Sequence, residues 1–251
     1  MLYPSTSGSI TPAPTKRDYF FDGPVTSYVE RAANGTVTKA HLYIGMRRGG
    51  RFIYALDVTS PTNPKFLWKM GSSDSAELGQ TWSQPAVAKI RGNTNPVVIF
   101  GGGYDAASED PEPPASADSL GRAIYVLDAF TGAPVWIGGN SSMSGATKLV
   151  AGMNFSIAGD VLTLDRNFDG LADRIYAVDV GGNVWRVDID DNSVSNWKVW
   201  KIASLADRSA TASTRKFLFG ADVVPGAAFD SVFVGSGDRS IHCKATSRKP
   251  W

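Results

Sequence analysis

The stretch Ala123-Ile-Tyr-Val-Leu-Asp128 is an aromatic-centred run that ends in an aspartate and continues through Thr131-Gly132 to Trp136. The same plan recurs in Phe52-Ile-Tyr-Ala-Leu-Asp57, followed by Trp68, and in Asn183-Val-Trp-Arg-Val-Asp188, followed by Trp197 and Trp200. Short runs rich in aromatic and β-branched residues, bounded by turn residues, predict β-strands. The chain therefore repeats a unit of strand, aspartate, turn and tryptophan.

A second predicted strand precedes each of these units. These earlier segments are Leu42-Tyr-Ile-Gly45, Val97-Val-Ile-Phe-Gly-Gly-Gly103 and Ile175-Tyr-Ala-Val-Asp-Val-Gly181, and Ser231-Val-Phe-Val-Gly-Ser-Gly237 opens a further unit. The aspartates recur at intervals of about 60 to 70 residues, which fits four strands and their loops. Repeats of this kind predict an all-β fold, a β-propeller with an incomplete set of about three to four blades.

The rest of the chain is interpreted around this repeat. We predict a flexible linker at residues 1–18, the propeller region at 19–243 and an irregular tail at 244–251. The proline-rich acidic loop at 104–120 and the Ser/Thr/Ala-rich segment at 207–214 are expected to face solvent. Asp57, Asp128 and Asp188 are expected to form Asx-turns where strands end, and the tryptophans to pack between sheets. His41 and His242 have no ligand-like neighbours, and we expect a strand or terminal position for each.

Composition argues against several functions. The formal net charge is +1 and no Lys/Arg run is long, so nucleic acid is not an expected partner. Cys243 is the single cysteine, which leaves no internal disulfide and no cysteine-based metal site. No apolar run of about 18 residues is present, and the first residues lack the basic and apolar regions of a signal peptide, so neither a membrane span nor a signal peptide is predicted in this chain.

The segment Asp165-Arg-Asn-Phe-Asp-Gly-Leu-Ala-Asp173 predicts a metal site. Oxygen-bearing side chains occupy its first, third, fifth and ninth positions, and Gly170 permits a reversal that turns the Leu171 carbonyl inward. Ligands of oxygen alone favour calcium or magnesium over zinc or copper, and a short flexible acidic loop favours calcium. The predicted ligands are Asp165, Asn167, Asp169, Leu171 and Asp173. The alternative is an ordinary turn, since Asp, Asn and Gly are common in turns.

This loop does not match a helix-loop-helix EF-hand. Position twelve is Tyr176, where that motif has a glutamate, and the following residues 174–180 are predicted to form a strand. Residues 159–164 are also predicted to form a strand. We therefore expect the metal to join two strands of one hairpin.

The run from Asp165 to Asp188 resembles the C-terminal propeller of the type IV pilus biogenesis factors called PilY or PilC. Further similar stretches are Tyr19-Phe-Phe-Asp-Gly-Pro24, Gly50-Arg-Phe-Ile-Tyr-Ala-Leu-Asp57, Thr81-Trp-Ser-Gln-Pro-Ala86 and Val232-Phe-Val-Gly-Ser-Gly-Asp-Arg239. The resemblance covers about residues 19–239. The chain departs from the family in lacking its long N-terminal region and signal sequence.

The resemblance implies a function at the bacterial surface. Family members promote pilus assembly, oppose retraction, and take part in adhesion and twitching motility, at the pilus tip or outer membrane. The expected partners are the pilus machinery or minor pilins, and host or abiotic surfaces. It also implies calcium binding at the five positions predicted above, and no enzymatic activity.

Two other functions remain open from the sequence. Tyr125-Val-Leu-Asp-Ala-Phe-Thr-Gly-Ala-Pro-Val-Trp136 resembles the tryptophan docking motif of quinoprotein-like, PQQ-dependent dehydrogenases. That chemistry also needs a cofactor pocket and a catalytic carboxylate, which a propeller fold does not supply by itself. The second alternative is a purely structural propeller segment in which calcium only stabilises a hairpin.

Overall fold

The structure, a computed structural model, describes residues 20–111, 114–208 and 215–237. Within these ranges the strands form four sheets, which we call blades 1 to 4 in chain order. Blade 1 contains β1 (Val25–Arg31), β2 (Val37–Gly45), β3 (Phe52–Asp57) and β4 (Lys65–Gly71). Blade 2 contains β5 (Ala86–Ala88), β6 (Val97–Gly101), β7 (Ala123–Asp128), β8 (Pro134–Asn140) and β9 (Lys148–Val150). Blade 3 contains β10 (Leu162–Leu164), β11 (Arg174–Val178), β12 (Asn183–Asp188) and β13 (Lys198–Ser204), and blade 4 contains β14 (Asp222–Pro225) and β15 (Asp230–Phe233).

Helical structure is confined to short segments. The described residues form one α-helix, α1 (Ala106–Glu109), and two 3-10 helices, Arg47–Gly49 and Val194–Asn196. In the part of the chain that the structure describes, no helix is long and apolar enough to cross a membrane. The prediction of an all-β chain is confirmed.

Each blade is an antiparallel meander. Strands that follow one another in the chain lie side by side, and only β9 departs from this pattern because it runs parallel to β8. Antiparallel neighbours need only short turns, so sheet order follows chain order. The register places equivalent tryptophans at equivalent sites: Trp68 lies opposite Ala55, Trp136 opposite Val126 and Trp200 opposite Arg186. The sequence repeat is therefore a structural repeat.

The apolar core lies between successive blades. Tyr43, Ile53 and Trp68 of blade 1 pack in one cluster with residues of blade 2 such as Phe100 and Tyr125. A second cluster fills the space between blades 2 and 3, and a third the space between blades 3 and 4. The strands β6 and β7 are apolar on both faces because blade 2 is covered on both sides. Face-to-face packing of successive sheets is the arrangement of a propeller.

The connections divide between two ends of the blades. The loops after the first and third strands of each blade lie at one end, which we call the turn end, because antiparallel strands reverse direction at each connection. The loops after the second strands and the linkers between blades lie at the other end, the linker end. The predicted metal loop at 165–173 follows β10 and lies at the turn end. The acidic loop at 104–120 follows β6 and lies at the linker end.

The aspartates that end the repeated strands make two kinds of contact. The Oδ1 atom of Asp57 accepts the Thr59 N–H at 2.8 Å, and that of Asp128 accepts the Phe130 N–H at 3.0 Å, as predicted for Asx-turns. The prediction is wrong for Asp188, whose Oδ2 accepts the Trp200 indole N–H at 2.8 Å. Asp188 also pairs with Arg186 of its own strand and with Arg174 of β11, so its carboxylate is directed along the sheet rather than into the following turn.

Two predicted strands are shorter in the structure. The segment predicted at 159–164 forms a strand only at Leu162–Leu164. Before it, the Asp160 side chain accepts the Gln84 N–H at 2.7 Å. The strand predicted at 174–180 ends at Val178 because the Val180 N–H donates to Ser156 at 3.0 Å.

The expectation of a solvent-facing loop at 104–120 holds for Asp110, which is exposed, but is wrong for three other acidic residues. Asp105, Glu109 and Asp118 are buried, and α1 places Glu109 against Arg208 and Lys216. Arg208 pairs with Glu109 and has a 5% exposed side chain, so the expectation for 207–214 is also wrong at that residue. Residues 209–214 lie outside the described ranges.

Several other predictions fall on the ends of the chain. The linker predicted at 1–18, the tail at 244–251 and His242 lie outside the described residues. His41 lies in β2, as expected for a strand residue, and is buried.

Candidate metal centre

The loop at 165–173 joins β10 to β11, as the sequence predicted. Leu164 and Arg174 are paired across the hairpin, and the Asp173 N–H donates to the Leu164 carbonyl at 2.8 Å. Gly170 has a φ of +86° and a Cβ there would meet no atom within 4 Å, so its conformation rather than crowding favours glycine. Phe168, with a φ of +62°, points into solvent. The hairpin is thus closed by a tight reversal.

The first three predicted side-chain ligands organise the backbone of this reversal. Asp165 accepts the Phe168 N–H at 2.7 Å through Oδ1 and the Gly170 N–H at 2.8 Å through Oδ2. The Oδ1 atom of Asn167 accepts the Asp169 N–H at 3.0 Å, and that of Asp169 accepts the Leu171 N–H at 2.9 Å. Side chains that accept bonds from N–H groups inside the turn face the interior of the loop.

Asp173 closes the loop from its far end. Its Oδ2 accepts the N–H of Arg166 at 2.8 Å and that of Asn167 at 3.4 Å. Burial alone would raise the pKa of this carboxyl group, but hydrogen bonds from Arg91 and the loop N–H groups outweigh that effect and hold the pKa below its usual range. Asp173 is therefore an ionised acceptor.

A residue of the neighbouring blade completes the arrangement. Arg91, in the connection between β5 and β6, donates from Nη1 to Asp173 Oδ1 at 2.5 Å and from Nη2 to Asp169 Oδ2. Sequence reasoning missed Arg91, which lies about 80 residues from both carboxylates. The local sequence around Arg91 contains no signal for this contact.

The predicted ligands fit a hard cation by their chemistry. They offer carboxylate and amide oxygens, and a positively charged guanidinium already lies against Asp169 and Asp173. The carboxylates are not gathered around one point: among the residues described, no group of three or more His, Cys, Asp and Glu side chains is close enough together to hold a metal ion. The five predicted residues therefore share one loop. Its side-chain oxygens accept hydrogen bonds from backbone N–H groups and from Arg91.

The loop also contacts blade 4. Arg166 directs its guanidinium away from the loop interior, to Asp230 Oδ1 at 3.1 Å and to the Gly226 carbonyl at 2.9 Å. Asp230 also accepts the hydroxyl proton of Tyr176 at 2.9 Å. The loop thus connects blade 3 to both of its neighbours, through Arg91 on one side and Arg166 on the other.

A second cluster of ionisable groups lies at the linker end. Glu109 pairs with Arg208 and with Lys216, the latter at 3.1 Å, while Asp118 Oδ2 accepts the Ser156 N–H at 2.6 Å. Burial, and then the charge and hydrogen bonding of Glu109, raise the pKa of Asp118 to about 8. Asp118 therefore favours its protonated form at neutral pH.

The residues that resembled a quinoprotein motif pack between blades. Trp68 donates to the Ala129 carbonyl, and its ring lies against Gly132, where an added Cβ would come within 2.7 Å of Cδ2. The equivalent Trp136 is buried between blades 2 and 3, with its ring centroid 5.4 Å from that of Trp197. The motif is thus accounted for by contacts that hold the blades together.

The chain is similar to known proteins over most of its length. A family model described as the PilY1 beta-propeller domain matches residues 14–250. Two relatives are the type IV pilus biogenesis factor PilY1 of Pseudomonas aeruginosa (strain PAO1), 31% identical over 175 residues, and a PilY1 homolog of Xylella fastidiosa (strain Temecula1), 30% identical over 187 residues. The matches cover 70% and 68% of this chain and 13% of each relative.

A solved structure has the same fold. The crystal structure of the Pseudomonas aeruginosa PilY1 C-terminal domain superposes with a TM-score of 0.64 and 24% sequence identity, over 87% of this chain and 44% of that one. This agreement confirms the predicted β-propeller fold and, with the family model, the predicted resemblance.

Proposed function

The chain belongs to the PilY1 β-propeller family, and from this premise we propose that it is the calcium-binding propeller region of a type IV pilus biogenesis factor. In this role it supports pilus extension against retraction, twitching motility and surface adhesion. Its proposed location is the cell surface, pilus tip or outer membrane, and its proposed partners are the pilus machinery or minor pilins and host or abiotic surfaces. The proposed cofactor is Ca2+.

The observation that supports calcium binding is the distribution of oxygens in the loop at 165–173. Carboxylates at Asp165, Asp169 and Asp173 and the amide of Asn167 lie on one tight reversal, with the Leu171 carbonyl in the same segment. Calcium takes about six to eight oxygen ligands of this kind, with water completing the shell. Calcium bound here would reduce the repulsion among three nearby carboxylates and brace the connection between β10 and β11.

Calorimetry tests the site directly. We expect the wild-type chain to bind calcium, and Asp169→Ala to weaken that binding because it removes a ligand oxygen and leaves like-charged carboxylates close together. Asp191→Ala is a matched control, since Asp191 is an exposed aspartate in another Asx-turn, where it accepts the Ser193 N–H at 2.8 Å. Equal calcium binding by the wild type and Asp169→Ala would contradict the assignment.

The role in the pilus needs a separate test in the source organism. We expect Asp169→Ala in the parent gene to increase pilus retraction and to reduce twitching and surface attachment, and Asp191→Ala to leave them unchanged. If calcium binding is lost while retraction stays normal, the metal only stabilises a hairpin, and the purely structural alternative is favoured. The enzymatic alternative gains no support from the Tyr125–Trp136 segment, whose residues are used in blade packing.

A further inference from the structure

The guanidinium of Arg91 donates to two carboxylate oxygens of the loop at 165–173. These are the two that accept no hydrogen bond from a backbone N–H of the loop. Asp173 Oδ2 is used by the N–H groups of Arg166 and Asn167, and Asp173 Oδ1 accepts from Arg91. Asp169 Oδ1 is used by the Leu171 N–H, and Asp169 Oδ2 accepts from Arg91 and, at 3.2 Å, from the side-chain amide of Asn167. The division is the same at both residues: one oxygen shapes the turn and the other is bound by a cation from blade 2.

The segment that carries Arg91 is held against blade 3 on both sides of the residue. The Lys89 carbonyl accepts the Ala172 N–H at 2.8 Å. Gly92 has a φ of +76° and lies so close to Asn192 that an added Cβ would be 2.0 Å from its carbonyl oxygen. Backbone contacts on either side restrict where the Arg91 side chain can reach. The ion pairs are therefore part of the blade 2 to blade 3 interface rather than a chance encounter of surface charges.

The arginine within the loop itself, Arg166, does not pair with these carboxylates. Arg166 belongs to the loop, but its guanidinium bonds Asp230 and the Gly226 carbonyl of the opposite blade. Arg91 is 20% exposed, and its partners Asp169 and Asp173 are 38% and 10% exposed, so solvent screens the pair with Asp173 least. Without metal, Arg91 is the group that offsets the mutual repulsion of these two carboxylates.

A bound calcium ion and a guanidinium donor cannot both use the same carboxylate lone pairs. We propose that Arg91 is a built-in competitor for the calcium site: it holds the loop closed without metal and leaves Asp169 and Asp173 when calcium binds. This inference rests on the proposed calcium-binding function. Because Arg91 belongs to blade 2 and the loop to blade 3, calcium affinity and the contact between these blades are coupled.

Calcium titration of the full chain carrying Arg91→Gln tests the proposal. We expect this variant to bind calcium at least about fivefold more tightly than the wild type, because no internal cation has to leave first. In EDTA the same variant should melt at a lower temperature than the wild type, since two carboxylates lose their counter-ion. Arg186→Gln is the charge-matched control: Arg186 pairs with Asp188 within blade 3 at 2.9 Å. Its calcium affinity should stay within about twofold of the wild type.

The outcomes separate this inference from the proposed function. Equal or weaker calcium binding by Arg91→Gln, with normal binding by the wild type, would overturn the inference and leave the calcium site intact. An equal gain in affinity for Arg186→Gln would also overturn it, because general charge would then explain the effect. If neither the wild type nor Arg91→Gln binds calcium, the proposed function fails and the inference with it. Binding by Arg91→Gln alone would support the competitor role.

Discussion

Trp68 of blade 1 donates its indole N–H to the carbonyl oxygen of Ala129 in blade 2, at 3.0 Å. The Tyr43 hydroxyl donates to the same oxygen, also at 3.0 Å. Two strands of blade 1 are thus fixed to a single turn of blade 2. Trp200, at the equivalent register position of blade 3, is 47% exposed and bonds Asp188 of its own blade instead.

The Trp68 contact predicts that substitution of Trp68 destabilises the fold more than substitution of Trp200. Trp68→Phe should lower the free energy of unfolding by about 1–2 kcal/mol, because an inter-blade hydrogen bond and part of a buried ring are lost. Trp200→Phe should change it by less than about 0.5 kcal/mol, since the ring is half exposed. Urea unfolding followed by circular dichroism measures both. Equal effects would mean that the inter-blade bond adds no stability.

A pair of glycine substitutions separates backbone strain from crowding. Gly132 and Gly145 have similar φ values of +74° and +78°, but a Cβ at Gly132 would overlap Trp68, whereas one at Gly145 would meet nothing within 4 Å. Gly145→Ala should lower the free energy of unfolding by about 1–2 kcal/mol, because alanine is strained in the left-handed conformation. Gly132→Ala should cost about 1–3 kcal/mol more, because the Trp68 ring must move. Urea denaturation of both variants tests this, and similar midpoints would contradict the crowding argument.

The buried pair at the linker end predicts a pH-dependent stability. Asp118 has a folded-state pKa raised to about 8, so its contribution is fully present below the unfolded-state pKa near 3.8 and is lost as pH rises toward 8. Asp118→Asn should remove this dependence, since a side-chain amide does not titrate in this pH range. Melting temperatures at several pH values between about 4 and 9 provide the measurement. A wild-type profile that rises with pH over this range, or a variant with an unchanged profile, would show that Asp118 is ionised when folded.

Metal removal should weaken the fold without abolishing it. The interblade clusters carry the apolar core and the loop at 165–173 carries little of it, so calcium is expected to act locally. At about a hundredfold excess over its Kd, a bound ion adds roughly 2.7 kcal/mol of stability. Chelation should therefore lower the melting temperature while the β-sheet signal in circular dichroism persists. A random-coil spectrum after chelation would give the metal a larger role.

Blade 4 predicts self-association of the isolated chain. Among the described residues β15 pairs with β14 alone, and Phe229 and Phe233 are 72% and 58% exposed. An open edge beside exposed aromatic rings recruits further strands. Phe233→Lys should reduce association in light scattering, whereas Phe66→Lys, at a 59% exposed position of β4, should not. A wild-type chain that stays monomeric at high concentration would contradict this prediction.

Local patterns predicted much of the architecture. Alternating and continuous apolar runs ending in Asp57, Asp128 and Asp188 define β3, β7 and β12, because strand formation and turn chemistry depend on neighbouring residues. The spacing of these runs predicted the blades. The loop between β10 and β11 was also predicted, since Asp, Asn and Gly at close spacing favour a tight reversal between two strands.

Tertiary structure decided which groups meet across the blades. Arg91 and the carboxylates of Asp169 and Asp173 are about 80 residues apart, and Glu109 and Lys216 are about 107 residues apart. Neither pairing can be recognised in the sequence next to the paired residues. The acidic loop was therefore predicted to face solvent, whereas α1 buries Glu109 against Arg208 and Lys216. A carboxylate is stable in such a place only when a cation or a shared proton compensates for lost hydration. The sequence alone thus determined the repeating strands and the loop, whereas the packing of blade against blade decided which charges are paired.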